Sequence, residues 1–297
     1  MQDGKSAKAA KTATAVPSAP LAMSPRSIAP RFLVGLILSA FAAVGAWSAE
    51  APREQVSKIV TQIRRADYEG DRTALKHLYG ELSPFADDKD KAFAARVLYW
   101  RGFVLWRRSI NGFNDSPDPK ELEQDLMQAV DDFNNANAID RAFMDAKVGT
   151  VSCLGFDMFL NQKNQSRVQE LYAQLSPLLK EARATAPDNP RMLWVLNPIL
   201  WRVPAERGGG QDKAIEAYEK GLALARAQKS QASDPLEPSW GEPELLMSLA
   251  WSNLNGTNPD LDAAEKDARS ALELVPYWHY VRDILMQQIR DARAKKS

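Results

Sequence analysis

From Glu50 onward, apolar side chains recur at spacings of three and four, the period of a helix that buries one face. No stretch of any length alternates with the period of two that a half-buried strand requires. Breaker clusters interrupt the pattern at intervals: Ser83-Pro84, Asn114-Asp115-Ser116-Pro117, Ala186-Pro187-Asp188-Asn189-Pro190, Gly208-Gly209-Gly210 and Gly256-Thr257-Asn258-Pro259. Proline has no amide to donate to a preceding turn, and Asn, Asp and Gly favour turns and caps, so each cluster separates two helices. The spacing predicts helix pairs over 52–69 with 71–83, 87–110 with 119–139, 141–160 with 165–186, 190–203 with 211–229, and 242–255 with 260–275. A last amphipathic helix is predicted over 277–295, where Lys295 and Lys296 suit the negative end of a helix dipole. A single pair cannot bury its apolar face alone, so the predicted fold class is all-α: a stack of about five antiparallel helix pairs closed by a C-terminal capping helix.

The first 48 residues read differently. Residues 1–30 are rich in Ala, Lys, Ser, Thr and Pro and show no helical period. Phe32 to Gly45 is an uncharged apolar run, preceded by Arg26 and Arg31 and followed by the small residues Ala46, Ser48 and Ala49 around Trp47. That is the order of a secretory signal, with cleavage expected after Ser48 and Met23 as an alternative start. The body would then be periplasmic or secreted. The rival expectation is an inner-membrane anchor through residues 32–49, about 18 residues and at the short end of a bilayer span. Basic residues ahead of the run place the body outside the cytoplasm in either case. No cysteine ends the run, which excludes a lipid anchor of the bacterial lipoprotein type. The expected division is a disordered leader with signal peptide or anchor over 1–48 and one helical-repeat domain over 50–297.

Within the domain, Ala264, Ala268, Ala271 and Pro276 have a recurring spacing that Ala214, Tyr218 and Gly221 repeat, as do Ala129, Phe133 and Ala136. This pattern resembles the second helix of a tetratricopeptide repeat. Small side chains at these positions let paired helices touch, while the aromatic fills the gap between pairs. Gly102, Gly149 and Ala250 fit the small position of that family's first helix; Asn197 stands there less well, and Pro198 beside it predicts a kink or restart. Repeat length departs from the family's period of about 34 residues, with a long insertion around 109–120, so the repeats are divergent. The resemblance is good over 211–276, moderate over 94–190 and weak over 50–83. It implies a right-handed α-solenoid whose first helices line a concave groove.

Composition narrows the function classes. Hydrophobic residues are 45% of the chain and charged residues 26%, a composition that folds rather than stays disordered. The net charge is zero, yet Lys5, Lys8, Lys11, Arg26 and Arg31 face only Asp3 in the leader, which leaves the domain mildly acidic. Nucleic acid is thereby excluded as the expected partner, because phosphate binding needs a basic face. Cys153 is the single cysteine; it allows no internal disulfide and sits in an apolar run, as a buried structural thiol does. His77 and His279 lie far apart, with no His-Glu-x-x-His and no Gly-x-Ser-x-Gly. Asp87, Asp88 and Asp90 suit a helix start, and Asp131 with Asp132 reads as a solvated face. Arg207-Gly208-Gly209-Gly210-Gln211-Asp212-Lys213 lacks the Gly-Lys-Ser/Thr ending of a phosphate loop and reads as a turn. Asn-x-Ser/Thr triplets at Asn114, Asn164 and Asn255 read as chance in an exported bacterial chain. The expectation is therefore no catalytic set, no metal, no cofactor and no enzyme.

The informative excess is aromatic. Trp100, Trp106, Trp194, Trp201 and Trp251 all fall in predicted first helices, with Tyr99 and Phe103 and the arginines Arg101, Arg107 and Arg202 among them. Projecting the tetratricopeptide resemblance places Tyr99, Phe103, Trp106 and Arg107, then Trp194, Trp201 and Arg202, then Met247 and Trp251 on the groove, with Trp100 off that face. The competing reading of each aromatic is inter-repeat core. Aromatics and arginine anchor interfaces, and guanidinium suits carboxylates. The expected function is a non-catalytic scaffold of the bacterial cell envelope that binds another protein or peptide, with an envelope or transporter component as a candidate partner. The alternative is a small-ligand-binding accessory protein of an envelope transport system, in which the aromatic stripe closes into a pocket lined by Trp194, Trp201 and Trp251.

Overall fold

A computed structural model of the chain describes residues 51–113, 115, 117–229 and 234–296. The signal, cleavage and anchor expectations for residues 1–49, and the Asn114 triplet, lie outside the described residues. Among the described residues the chain is all-helical, with no strand. The helices are α1 Pro52–Glu69, α2 Arg72–Leu82, α3 Lys91–Gly112, α4 Pro119–Ile139, α5 Met144–Leu160, α6 Gln165–Thr185, α7 Pro190–Arg202, α8 Gln211–Lys229, α9 Glu242–Asn255, α10 Leu261–Leu274 and α11 Met286–Lys296.

The breaker clusters act as caps. Asp71, Asp90, Asp118, Asn164, Asn189 and Asp260 each accept a hydrogen bond from a backbone amide in the first turn that follows, and Pro52, Pro119 and Pro190 stand where a helix has no amide to lose. The predicted α3 start at 87 moves to Lys91 because Asp88 accepts from the Asp90 amide at 2.8 Å and Asp90 from the Phe93 amide at 3.1 Å, closing a turn ahead of the helix. The predicted last helix opens instead with a π-helical turn over Tyr280–Leu285 and continues as α11. Pro198 does not break α7, which runs through it.

Consecutive helices pack on one another from α1 through α6 and again from α7 through α11, and the odd-numbered helices also touch one another in the order α1, α3, α5, α7, α9, which carries the stack across the α6–α7 step. Close approach has a clear steric basis. A Cβ built on Gly102 would lie 2.9 Å from the Phe133 ring, and one on Gly149 only 2.4 Å from it, so the ring of α4 occupies the space that these two glycines of α3 and α5 leave empty. Ala129 and Ala136 flank Phe133 and are buried with it, as are Ala264, Ala268 and Ala271 on α10. Gly221 on α8 stands likewise against Leu245 of α9.

Two clusters of buried residues result. One spans α1 to α7 and takes in Leu236 and Trp240 from the connection between α8 and α9. The other joins α8 to α11 and takes in Tyr68 from α1; Trp194 packs against both. Tyr68 meets Trp278 with ring centroids 5.0 Å apart and donates to Glu244 at 2.8 Å, so the end of the first helix is held against α9 and the C-terminal segment.

Candidate functional site

Helix α3 is apolar around most of its circumference, and a helix of that kind is covered on all sides. Tyr99, Phe103, Trp106 and Arg107 are 0, 1, 0 and 3% exposed. They do not line a groove, contrary to the sequence expectation. The cover is the segment 234–241, which the helix pattern treats as a mere connection. Its Trp240 donates to the Tyr99 hydroxyl at 2.8 Å and lies 5.5 Å from Phe103 and 5.6 Å from Trp106, centroid to centroid. Trp100, expected off the groove face, is buried and donates to the Leu236 carbonyl at 2.9 Å.

Arg107 serves this interior electrostatically. Its Nε lies 2.9 and 2.8 Å from the two oxygens of buried Asp67, and Asn111 donates to the same carboxylate at 3.0 Å. Burial pulls the guanidinium towards neutrality, but Asp67, with Glu244 and Tyr68 adding to it, outweighs burial and holds the charge. Glu244 nearby accepts from Tyr68 and from the Gly241 amide; burial raises its carboxyl above the ordinary value, against the pull of Arg107. Arg191, which the pattern did not single out, ties α7 to Asp145 of α5 at 3.0 Å and to the Trp240 carbonyl at 3.0 Å. Asp132 also departs from expectation: it is buried and paired with Arg101 at 3.4 Å, while Asp131 is exposed.

The remaining predicted residues come together elsewhere. On α7, Trp194, Pro198, Trp201 and Arg202 stand at spacings of four, seven and eight and therefore share a face. On α9, Met247 with Trp251 and Ser248 with Ser252 form two adjacent stripes at a spacing of four. These two faces, with Ile110, Phe156 and Tyr218, enclose a cavity of about 340 Å³. A second lobe of about 500 Å³ lies between α5 and α7, lined by Val151, Gly155, Phe159, Val195 and Ile199 among others. Phe156, Pro198 and Arg202 border both lobes. Phe159, Ile199 and Trp251 are exposed.

Polar groups in this cleft are few and differ in their partners. Trp194 Nε1 donates to Ser248 Oγ at 3.0 Å, and Trp201 packs edge-on against Trp251 at 5.5 Å. Tyr218 is buried, which raises its phenol well above the ordinary value, while its hydrogen bond with Ser248 works the other way. Ser252 is 1% exposed and its Oγ has no hydrogen-bond partner among the described residues. The exposed Arg202 guanidinium lies 6.0 Å from the Phe159 ring centroid and pairs with no carboxylate among the described residues. Such a cleft can hold a flat apolar body and fix its orientation with a handful of polar contacts. The other candidates stand apart from it. Cys153 is buried and its thiol is raised by burial and then by Asp157, as an inert core thiol is. His77 pairs with Glu81 at 3.0 Å and His279 with Asp283 at 2.8 Å, each on its own helical turn. Among the described residues no group of three His, Cys, Asp or Glu could hold a metal ion.

No family model matches the chain, and no curated protein matches it. A solved structure that resembles it is the HusA haemophore from Porphyromonas gingivalis, with a TM-score of 0.52 and 20% identity over 67% of this chain and 92% of that one. At that identity the likeness bears on the helical fold alone.

Proposed function

We propose that this protein is a non-catalytic binding protein of the bacterial envelope whose ligand is a flat, mostly apolar small molecule held in the cleft between α5, α7 and α9. The carrying observation is the cavity of about 340 Å³ walled by Trp194, Trp201, Met247 and Trp251, continuous in its lining with the second lobe. Its volume lies in the range of about 300–1,000 Å³ usual for ligand sites. The scaffold is a divergent tetratricopeptide-like solenoid over 50–297; the glycine-to-Phe133 contacts and the row of odd-numbered helices support that reading. The leader over 1–48 would export it, as an accessory to an envelope transport system.

A peptide scaffold is the weaker reading, because Trp240 already occupies the α3 aromatics that such a groove would offer. The similar structure is that of a haemophore, which makes a tetrapyrrole the first ligand to try. Protoporphyrin with and without iron should bind saturably, followed by the porphyrin absorbance band and by tryptophan fluorescence. Replacing Trp201 and Trp251 together by Ala should weaken binding by about tenfold or more, the scale of two lost aromatic contacts. Absence of saturable binding for porphyrins and for other planar apolar molecules would overturn the proposal.

A further inference from the structure

The two ends of the cleft differ in charge. On the α9 side the polar groups are neutral hydroxyls: Ser248, engaged by Trp194 and Tyr218, and Ser252, buried and without a partner. No carboxylate lines either lobe. At the border of the two lobes stands Arg202, a permanent cation whose guanidinium rests over Phe159 with no carboxylate partner among the described residues. Pro198, Phe156 and Ile199, which line the cleft with it, have apolar side chains. A guanidinium carries five donors in a rigid fork that matches a carboxylate or sulfonate, and stacking on an aromatic fixes its plane.

Resting on the binding reading above, we infer that the natural ligand is an aromatic or macrocyclic acid: its planar body lies among Trp194, Trp201 and Met247, and its anionic group pairs with Arg202 where the lobes meet. Ser252 then meets a neutral hydrogen-bonding edge of the body. The hydroxyl end cannot balance a charge, so the acid points to Arg202 and the orientation has one sense. A negatively charged wall would repel such a ligand, and the lining carries none.

The test uses two probes that share one aromatic body, 8-anilinonaphthalene-1-sulfonate and the uncharged N-phenyl-1-naphthylamine, titrated into the full chain. In the wild type both should bind and compete with each other. In Arg202→Gln the ratio of the two dissociation constants should shift by about fivefold against the sulfonate, while the neutral probe is unaffected, as expected for one partly exposed charge pair. Arg202→Lys should retain most of the preference, and raised salt should erode it in the wild type and in Arg202→Lys but not in Arg202→Gln. Because Arg202 is exposed, these variants keep the fold, which far-ultraviolet circular dichroism checks. If both probes bind and Arg202→Gln leaves the ratio unchanged, the acid-reading role is wrong and the binding proposal stands. If neither probe binds the wild type, the acid-reading role is wrong, and the binding proposal falls with it only where porphyrins also fail to bind.

Discussion

Glu244 shows how a single buried charge sets a pH dependence. Asp67, Glu244 and Arg107 share one interior, so two acids face one cation there. Burial raises the Glu244 carboxyl above its ordinary 4.5, the folded chain therefore holds this proton more tightly than the unfolded chain, and stability falls as pH rises through the folded value. Gln at this position keeps an oxygen for the Gly241 amide and an amide for the Tyr68 hydroxyl while removing the charge. Glu244→Gln should raise the melting temperature at about pH 8 by a few degrees, ~2–4 °C per kcal/mol in a chain of this size, and should match the wild type near pH 4. Melting curves that coincide across this range would refute the assignment. The sequence offered no hint of this cluster, because Asp67, Arg107 and Glu244 lie on three helices distant in the chain.

At the scale of helices, the contact of α3, α4 and α5 through Phe133 is the element most legible beforehand. The recurring spacing marks Ala129, Phe133 and Ala136, the tetratricopeptide resemblance adds Gly102 and Gly149, and the structure sets the Phe133 ring against both glycines. Gly149→Ala should destabilise by about 1–3 kcal/mol, the usual penalty of overpacking. Trimming the ring with Phe133→Leu should recover part of that loss, giving non-additive denaturant midpoints in the double mutant. Gly80 on α2 is the control: a Cβ there meets nothing, so Ala should be neutral or stabilising by up to about 1 kcal/mol through helix propensity. Equal losses at 80 and 149 would show that the Phe133 contact is not the cause. Helix ends were legible for the same local reason, since Asp71, Asp90, Asp118 and Asn189 cap the turns beside them.

Across the whole domain, Tyr68 joins the first helix to the second buried cluster through Trp278 and Glu244. Trp278→Ala should cost about 3–5 kcal/mol, the range for removing a large buried aromatic. Because the lost contact bridges distant segments, amide hydrogen exchange should quicken near the end of α1 as well as around Tyr280–Leu285. Exchange that rises only in the C-terminal segment would show that the two clusters are independent. The cleft also belongs to this scale: α7 and α9 carry four lining residues each, and α3, α5 and α8 complete the wall.

The sequence by itself determined that the domain is helical, where most of its helices begin and end to within a few residues, and, with the tetratricopeptide resemblance, which small residues stand where helices touch. Each of those outcomes depends on residues within a turn or two of one another, where capping, proline geometry and side-chain period act directly. Only the tertiary structure decided which aromatics are surface and which are core. Helical period marks a face but not what covers it, and the cover for Tyr99, Phe103 and Trp106 is Trp240, a residue in no helix and far along the chain. The same folding that withdrew those three left Trp194, Trp201, Arg202, Met247 and Trp251 around one cavity.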